Sequence, residues 1–171
     1  MKKNFFGFTM LLAIALTACA QQKKTASRVV TTNTDAKAGE FTYVKMHRSP
    51  CFGKCPSYTI ELYKDGKVKY TGMSDTKYMG TYEKKFDTKT TGTILNKFKT
   101  NRADTCSKEY TLMIADIPGI YYEFLIGGER KEIYNAHFGP IYLKNLASEI
   151  DRTIGEPGAG WVKTAEPEKR D

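Results

Sequence analysis

The sequence predicts an α+β domain: a mainly antiparallel sheet of about five or six strands with two helices packed on one face, a two-layer sandwich. Three observations predict it. Two pairs of β-rich runs are joined by tight-turn signals, Asp65-Gly66 and Gly127-Gly128; two further stretches carry an apolar stripe at helical spacing; and the order is strands, helix, strands, helix. A hairpin sheet has one apolar face to bury, and a striped helix has one stripe, so each layer covers the other.

The elements follow in chain order. Phe41 to Met46 has strand composition. Tyr58, Ile60 and Leu62 then alternate with Thr59, Glu61 and Tyr63, as on a half-buried strand. Val68 and Tyr70 resume the alternation after Asp65-Gly66, which suits a two-residue type I′ turn because that turn needs positive φ. A fourth strand is expected from Tyr78 to Phe86, with Gly80 as a bulge or a point of close approach. Asp87 can accept from the free amides of a helix start, and Thr91, Ile94, Leu95 and Phe98 share one face of that helix. Its threonines and glycine are poor helix formers, so packing on the sheet must hold it. Ile120 to Ile126 and Arg130 to His137 form a second strand pair across Gly127-Gly128. Pro140 suits the first position of a second helix, along which Leu143, Leu146, Ala147, Ile150 and Ile154 make an apolar stripe.

Around the domain of residues 41–154 the chain divides into a signal over 1–18, a flexible tether over 19–40 and a flexible tail over 155–171. The tether is Thr, Ala, Lys, Gln and Ser with almost nothing large and apolar to bury. Lys2 and Lys3 precede an apolar run from Phe5 to Leu16 that falls short of the ~20 residues a membrane helix needs, which is the pattern of a cleaved signal. Leu16-Thr17-Ala18-Cys19 resembles the lipobox of bacterial lipoproteins. That resemblance implies a mature chain starting at Cys19, acylated there, with a membrane as partner through the N-terminal lipid. Ala20 in place of Asp, and no acid before Asp35, imply the outer membrane facing the periplasm rather than the inner membrane or the cell surface.

With 27 basic and 19 acidic residues the formal charge is +8, or +6 once Lys2 and Lys3 leave with the signal. Such a balance suits anionic envelope components or another envelope protein. Nucleic acid is not expected, because no basic run is interleaved with aromatics.

One stretch inside the domain is unusual: His47 to Tyr58, with Cys51 and Cys55 between Pro50 and Pro56. Four readings fit it. A structural disulfide suits an oxidising compartment, and Gly53 lets the chain turn between the cysteines. A redox pair would draw on the charge of His47, Arg48 and Lys54, but lacks the Cys-x-x-Cys spacing at a helix start. A zinc site would use His47, Cys51, Cys55 and the distant Cys106, at a spacing of no common module. A recognition loop would present Phe52 as an anchor beside His47, Arg48 and Lys54. If Cys19 is lipidated and the near pair bonds, Cys106 is left as one thiol, expected to be unpaired and shielded.

The block Arg48-Ser49-Pro50-Cys51-Phe52-Gly53-Lys54-Cys55-Pro56-Ser57-Tyr58, then Asp65 to Tyr70 with Gly72, resembles the short bacterial envelope proteins that carry the domain of unknown function numbered 6438. Asp116-Ile117-Pro118 and the Gly139-Pro140 helix start resemble it more loosely. The resemblance implies domain limits and no established activity.

Other chemistry is sparse. His137 stands before Phe138-Gly139-Pro140 in no nucleophile or metal motif, and the carboxylates Asp65, Asp116, Glu123 and Glu132 sit on different elements. The eleven tyrosines suit sheet packing. The expectation is therefore a non-enzymatic binding or scaffolding module, with no catalytic residue, cofactor or metal. The alternative is a thiol–disulfide exchange protein using Cys51 and Cys55.

Overall fold

The strand-forming run that opens at Phe41 builds β1 (Phe41–Arg48), with a register shift between Phe41 and Tyr43, and this strand becomes the centre of the sheet. The computed structural model describes residues 39–112 and 117–167. The proposed signal, the lipidation site Cys19 and the tether up to Ala38 lie outside the described residues, as does Asp116.

From β1 the chain runs into β2 (Ser57–Tyr63), β3 (Lys67–Ser74) and β4 (Gly80–Lys85), each antiparallel to the one before. Helix α1 (Thr88–Thr100) follows, with the Asp87 carboxylate accepting from the Lys89 amide at 2.9 Å. A 3-10 turn at Ala103–Thr105 leads to the two-residue β5 (Glu109–Tyr110), then β6 (Ile120–Ile126), β7 (Glu129–Asn135), α2 (Ile141–Ile154) and β8 (Val162–Ala165). Their order in the sheet is β5-β7-β6-β1-β2-β3-β4-β8, and among the described residues the β5–β7 pair alone is parallel.

The α+β class and the two helices agree with the sequence reading, whereas among the described residues eight strands replace the five or six expected. Both additions are short edge strands. Two residues, Glu109 and Tyr110, are too few to show any alternation. Strand β8 lies in the segment read as a tail, where Trp161 packs edge-on against Tyr70 and Phe86 and the residues after it pair with β4. Gly80 is the matching signal on β4: its φ is +95°, and an added Cβ would stand 2.5 Å from the Ala165 carbonyl oxygen. It is a point of close approach, made for β8.

The two hairpins differ. Gly127 and Gly128 both have positive φ and form the tight two-residue turn. At Asp65-Gly66 only Gly66 does, and its amide donates to the Tyr63 carbonyl at 3.0 Å, so the loop has three residues, Lys64 to Gly66, instead of two. Pro140 is likewise the extended residue before α2 rather than its first helical one.

Alternate residues of the strands face the helices. Val44, Met46, Ile60, Leu62, Tyr122 and Phe124 meet the stripes of α1 and α2, and burying each is worth about 1.5–3 kcal/mol. All the stripe residues expected for the two helices are buried. None of the helices among the described residues is long and apolar enough to cross a membrane.

Candidate functional site

Because side chains alternate across a strand, Met46 and Arg48 face the helices while Lys45 and His47 face away from them. Register then extends this outward face across six strands. His47 stands between Thr59 of β2 and Tyr121 of β6, Thr59 is followed by Thr71 and Thr81, and Tyr121 is followed by Tyr134. The result is a row of hydroxyls and rings. A parallel row of charge runs beside it, Glu83, Lys69, Glu61, Lys45, Glu123 and Glu132 from β4 to β7.

A groove of about 700 Å³ lies over the β1, β6 and β7 part of these rows, lined by Lys45, His47, Thr59, Tyr121 and Tyr134 among others. The rings of Tyr121 and Tyr134 stack with centroids 4.0 Å apart, and His47 leans on Tyr121 at 5.7 Å. His47 Nδ1 is 3.3 Å from the Thr59 hydroxyl, and burial pushes the imidazole below its ordinary value, with Lys45 adding to the effect. Both effects favour the neutral ring. Along the charge row Glu61 accepts from the hydroxyls of Tyr43 and Tyr63, both at 2.9 Å, and pairs with Lys69 at 3.2 Å. Burial pushes that carboxyl up, but these three donors outweigh it and hold it below the usual carboxylate range.

The cysteines are bonded to each other, Cys51 to Cys55, with Cα atoms 5.5 Å apart in the loop between β1 and β2. This separates the residues of the loop by role. Phe52 and Lys54 are exposed on the closed turn. Arg48 is turned to the helix side, where its Nε and Nη2 donate to Asp151 Oδ2 at 2.9 and 2.5 Å, while the Tyr58 hydroxyl donates to Oδ1 at 2.7 Å. Arg48 and His47 therefore lie on opposite faces, because they are one residue apart along a strand.

The zinc reading is overturned in the same way. Both near thiols are consumed by the disulfide, and Cys106 is a buried free thiol 2.8 Å from the Tyr142 hydroxyl beside α2. Of the four carboxylates singled out, Glu123 and Glu132 do come together as directly opposed residues of β6 and β7. Glu123 is held by Arg130 at 2.6 Å, and Asp65 lies in its turn, bound to Lys85 at 2.9 Å. His137 Nδ1 accepts from the Leu112 amide at 3.1 Å, and neither its buried Nε2 nor the buried Asn135 amide group has a partner among the described residues.

The two rows escaped sequence reasoning. Their residues are the polar halves of alternating strands, so each was visible singly; what joins them is the pairing of β1 with β6, strands that lie far apart in the chain.

Residues 42–154 match the family described as Domain of unknown function (DUF6438). The chain belongs to this family. The match spans β1 to the end of α2, so in this DUF6438 protein the disulfide loop and both rows lie inside the family domain, and β8 lies beyond it. No curated protein was found to match the chain.

Proposed function

We propose that the chain is a lipid-anchored envelope protein, attached through Cys19 on the periplasmic face of the outer membrane, and that its DUF6438 domain is a non-enzymatic binding module. The observation that carries the binding reading is the groove on the helix-free face, where Lys45, His47, Thr59 and Tyr121 offer a cation, ring edges and hydroxyls side by side. Such a surface holds a polar partner by several directed bonds at once. The disulfide supports the same reading: it closes a turn between two strands, and neither cysteine stands at a helix start of its own segment that would stabilise a thiolate.

Two measurements test this. Intact mass of the membrane-extracted protein should show a chain beginning at Cys19 with added acyl groups; a soluble chain without them overturns the anchor. The Cys51–Cys55 pair should have a reduction potential below about −300 mV, as structural disulfides do. Catalysed reduction of a disulfide substrate by the wild type, lost in Cys51→Ser, would establish exchange chemistry in place of the binding module.

A further inference from the structure

The two ends of the sheet are chemically unlike. Arg48 of β1 is paired with Tyr58 and Ile120, and Ile120 with Asn135, so the loops after Arg48, before Ile120 and after Asn135 leave the sheet at one end. At that end Phe52 is 89% exposed, Ile141 69%, Phe138 59% and Leu112 53%. The loops are tied to one another: Ser49 and Gly119 exchange bonds of 3.0 and 2.8 Å, and Leu112 donates to His137. At the other end stand the polar turns, Lys64 to Gly66 and Gly127-Gly128, where the ion pairs Lys64–Glu40 and Lys85–Asp65 gather.

An apolar side chain in water is ordinary when single, but four at one end of a sheet, three on loops and one opening α2, are not. Phe52 is held outward by a disulfide-closed turn, so it loses little freedom on insertion. The described residues of these three loops and the first turn of α2 bring Lys54 and Lys144, while the β3–β4 loop at the same end adds Asp75 and Lys77, and Glu166 beyond β8 is paired with Lys163. Cations around an apolar tip complement anionic lipid headgroups.

We propose that this loop end, with Phe52, Leu112, Phe138 and Ile141 as its apolar tips and Lys54 and Lys144 beside them, is a membrane-contact surface that seats on anionic phospholipid. The chain enters β1 from the opposite end, at Gly39, so the domain must turn over to touch the bilayer that holds its lipid. The length allows this. Residues Cys19 to Ala38 reach at most about 70 Å when extended, against about 27 Å for β1. The lipid anchor then supplies the bilayer at high effective concentration, and the loop end sets how the domain lies on it, leaving the groove at its side. That consequence rests on the proposed anchor; the lipid affinity of the loop end does not.

The test uses the mature-length chain carrying Cys19→Ser, so that any attachment comes from the domain. It should co-sediment with vesicles of equimolar phosphatidylcholine and phosphatidylglycerol, and less with phosphatidylcholine alone. Phe52→Ser and Ile141→Ser should each weaken binding about tenfold, whereas Val162→Ser, at an exposed apolar residue on β8, should leave it unchanged. The variant Phe52→Trp should shift its emission to the blue on adding vesicles. No binding, equal loss in Val162→Ser, or no vesicle-induced difference between the emission of Phe52→Trp and that of the parent chain overturns the membrane surface and gives the loop end to a protein partner. Absence of acyl mass on Cys19 would overturn the anchor alone.

Discussion

Asp151 shows how much one carboxylate is asked to hold. It joins the base of the disulfide loop to α2 by accepting from Arg48 and from Tyr58, residues on two strands. Desolvation alone would lower the Arg48 pKa, and Asp151 more than reverses it. Asp151→Ala leaves a half-buried guanidinium and a phenol without that partner. The expected loss is about 1–3 kcal/mol, moderated by partial exposure, and is read as a lower urea midpoint at unchanged slope. Glu61 makes a pH prediction. Its folded pKa is depressed, so it contributes stability above its unfolded value, and this is lost as pH falls through the folded one. Thermal scans should therefore show stability declining below the ordinary carboxylate range, with a shallower decline in Glu61→Gln. Tyr63 acts at the other extreme: burial, then Glu61, push its hydroxyl up to about 12, so its contribution is lost as pH rises from 10 toward that value.

Among the elements, β8 is the one with a separable role. It pairs with β4, and Trp161 before it packs on Tyr70 and Phe86. Without it β4 would be an exposed edge with free amides and carbonyls, open to pairing with another chain. Truncation after Glu156 should leave a folded seven-stranded domain, weaker by about 2 kcal/mol for the lost aromatic burial, and prone to self-association by light scattering. If the truncated chain is as stable and as monomeric as the whole, β8 is only an appendage. The disulfide loop is an element of another kind. Closing so short a ring constrains few unfolded conformations, worth about 2 kcal/mol, so its larger use is to fix the direction of Phe52.

For the whole molecule the thiols report on global opening. Cys106 is buried where the chain leaves α1 and its 3-10 turn, with Tyr142 of α2 against its sulfur. Alkylation of the mature protein should find no reactive thiol when folded and one after denaturation, located at Cys106 by peptide mass. A rate of labelling that follows the unfolding equilibrium would show that it opens with the core, whereas rapid labelling of the folded chain would show a local opening beside α2.

Local information determined a good part of this protein. Asp87 capped the helix it was expected to cap, the stripe from Leu143 to Ile154 is the buried face of α2, and the Arg48 to Tyr58 block with Asp65 to Tyr70 was enough for the DUF6438 family. These features depend on neighbours within a few residues, where spacing and side-chain chemistry decide the outcome. Tertiary structure decided the rest. That the outward row runs from Thr59 through His47 to Tyr121, that Trp161 returns to the core and that Phe52 shares an end with Ile141 follow from β1 pairing with β6 and β4 with β8. Those pairings join strands far apart in the chain, and what selects them is the burial of one shared apolar face, a property of the assembled sheet and of no single segment.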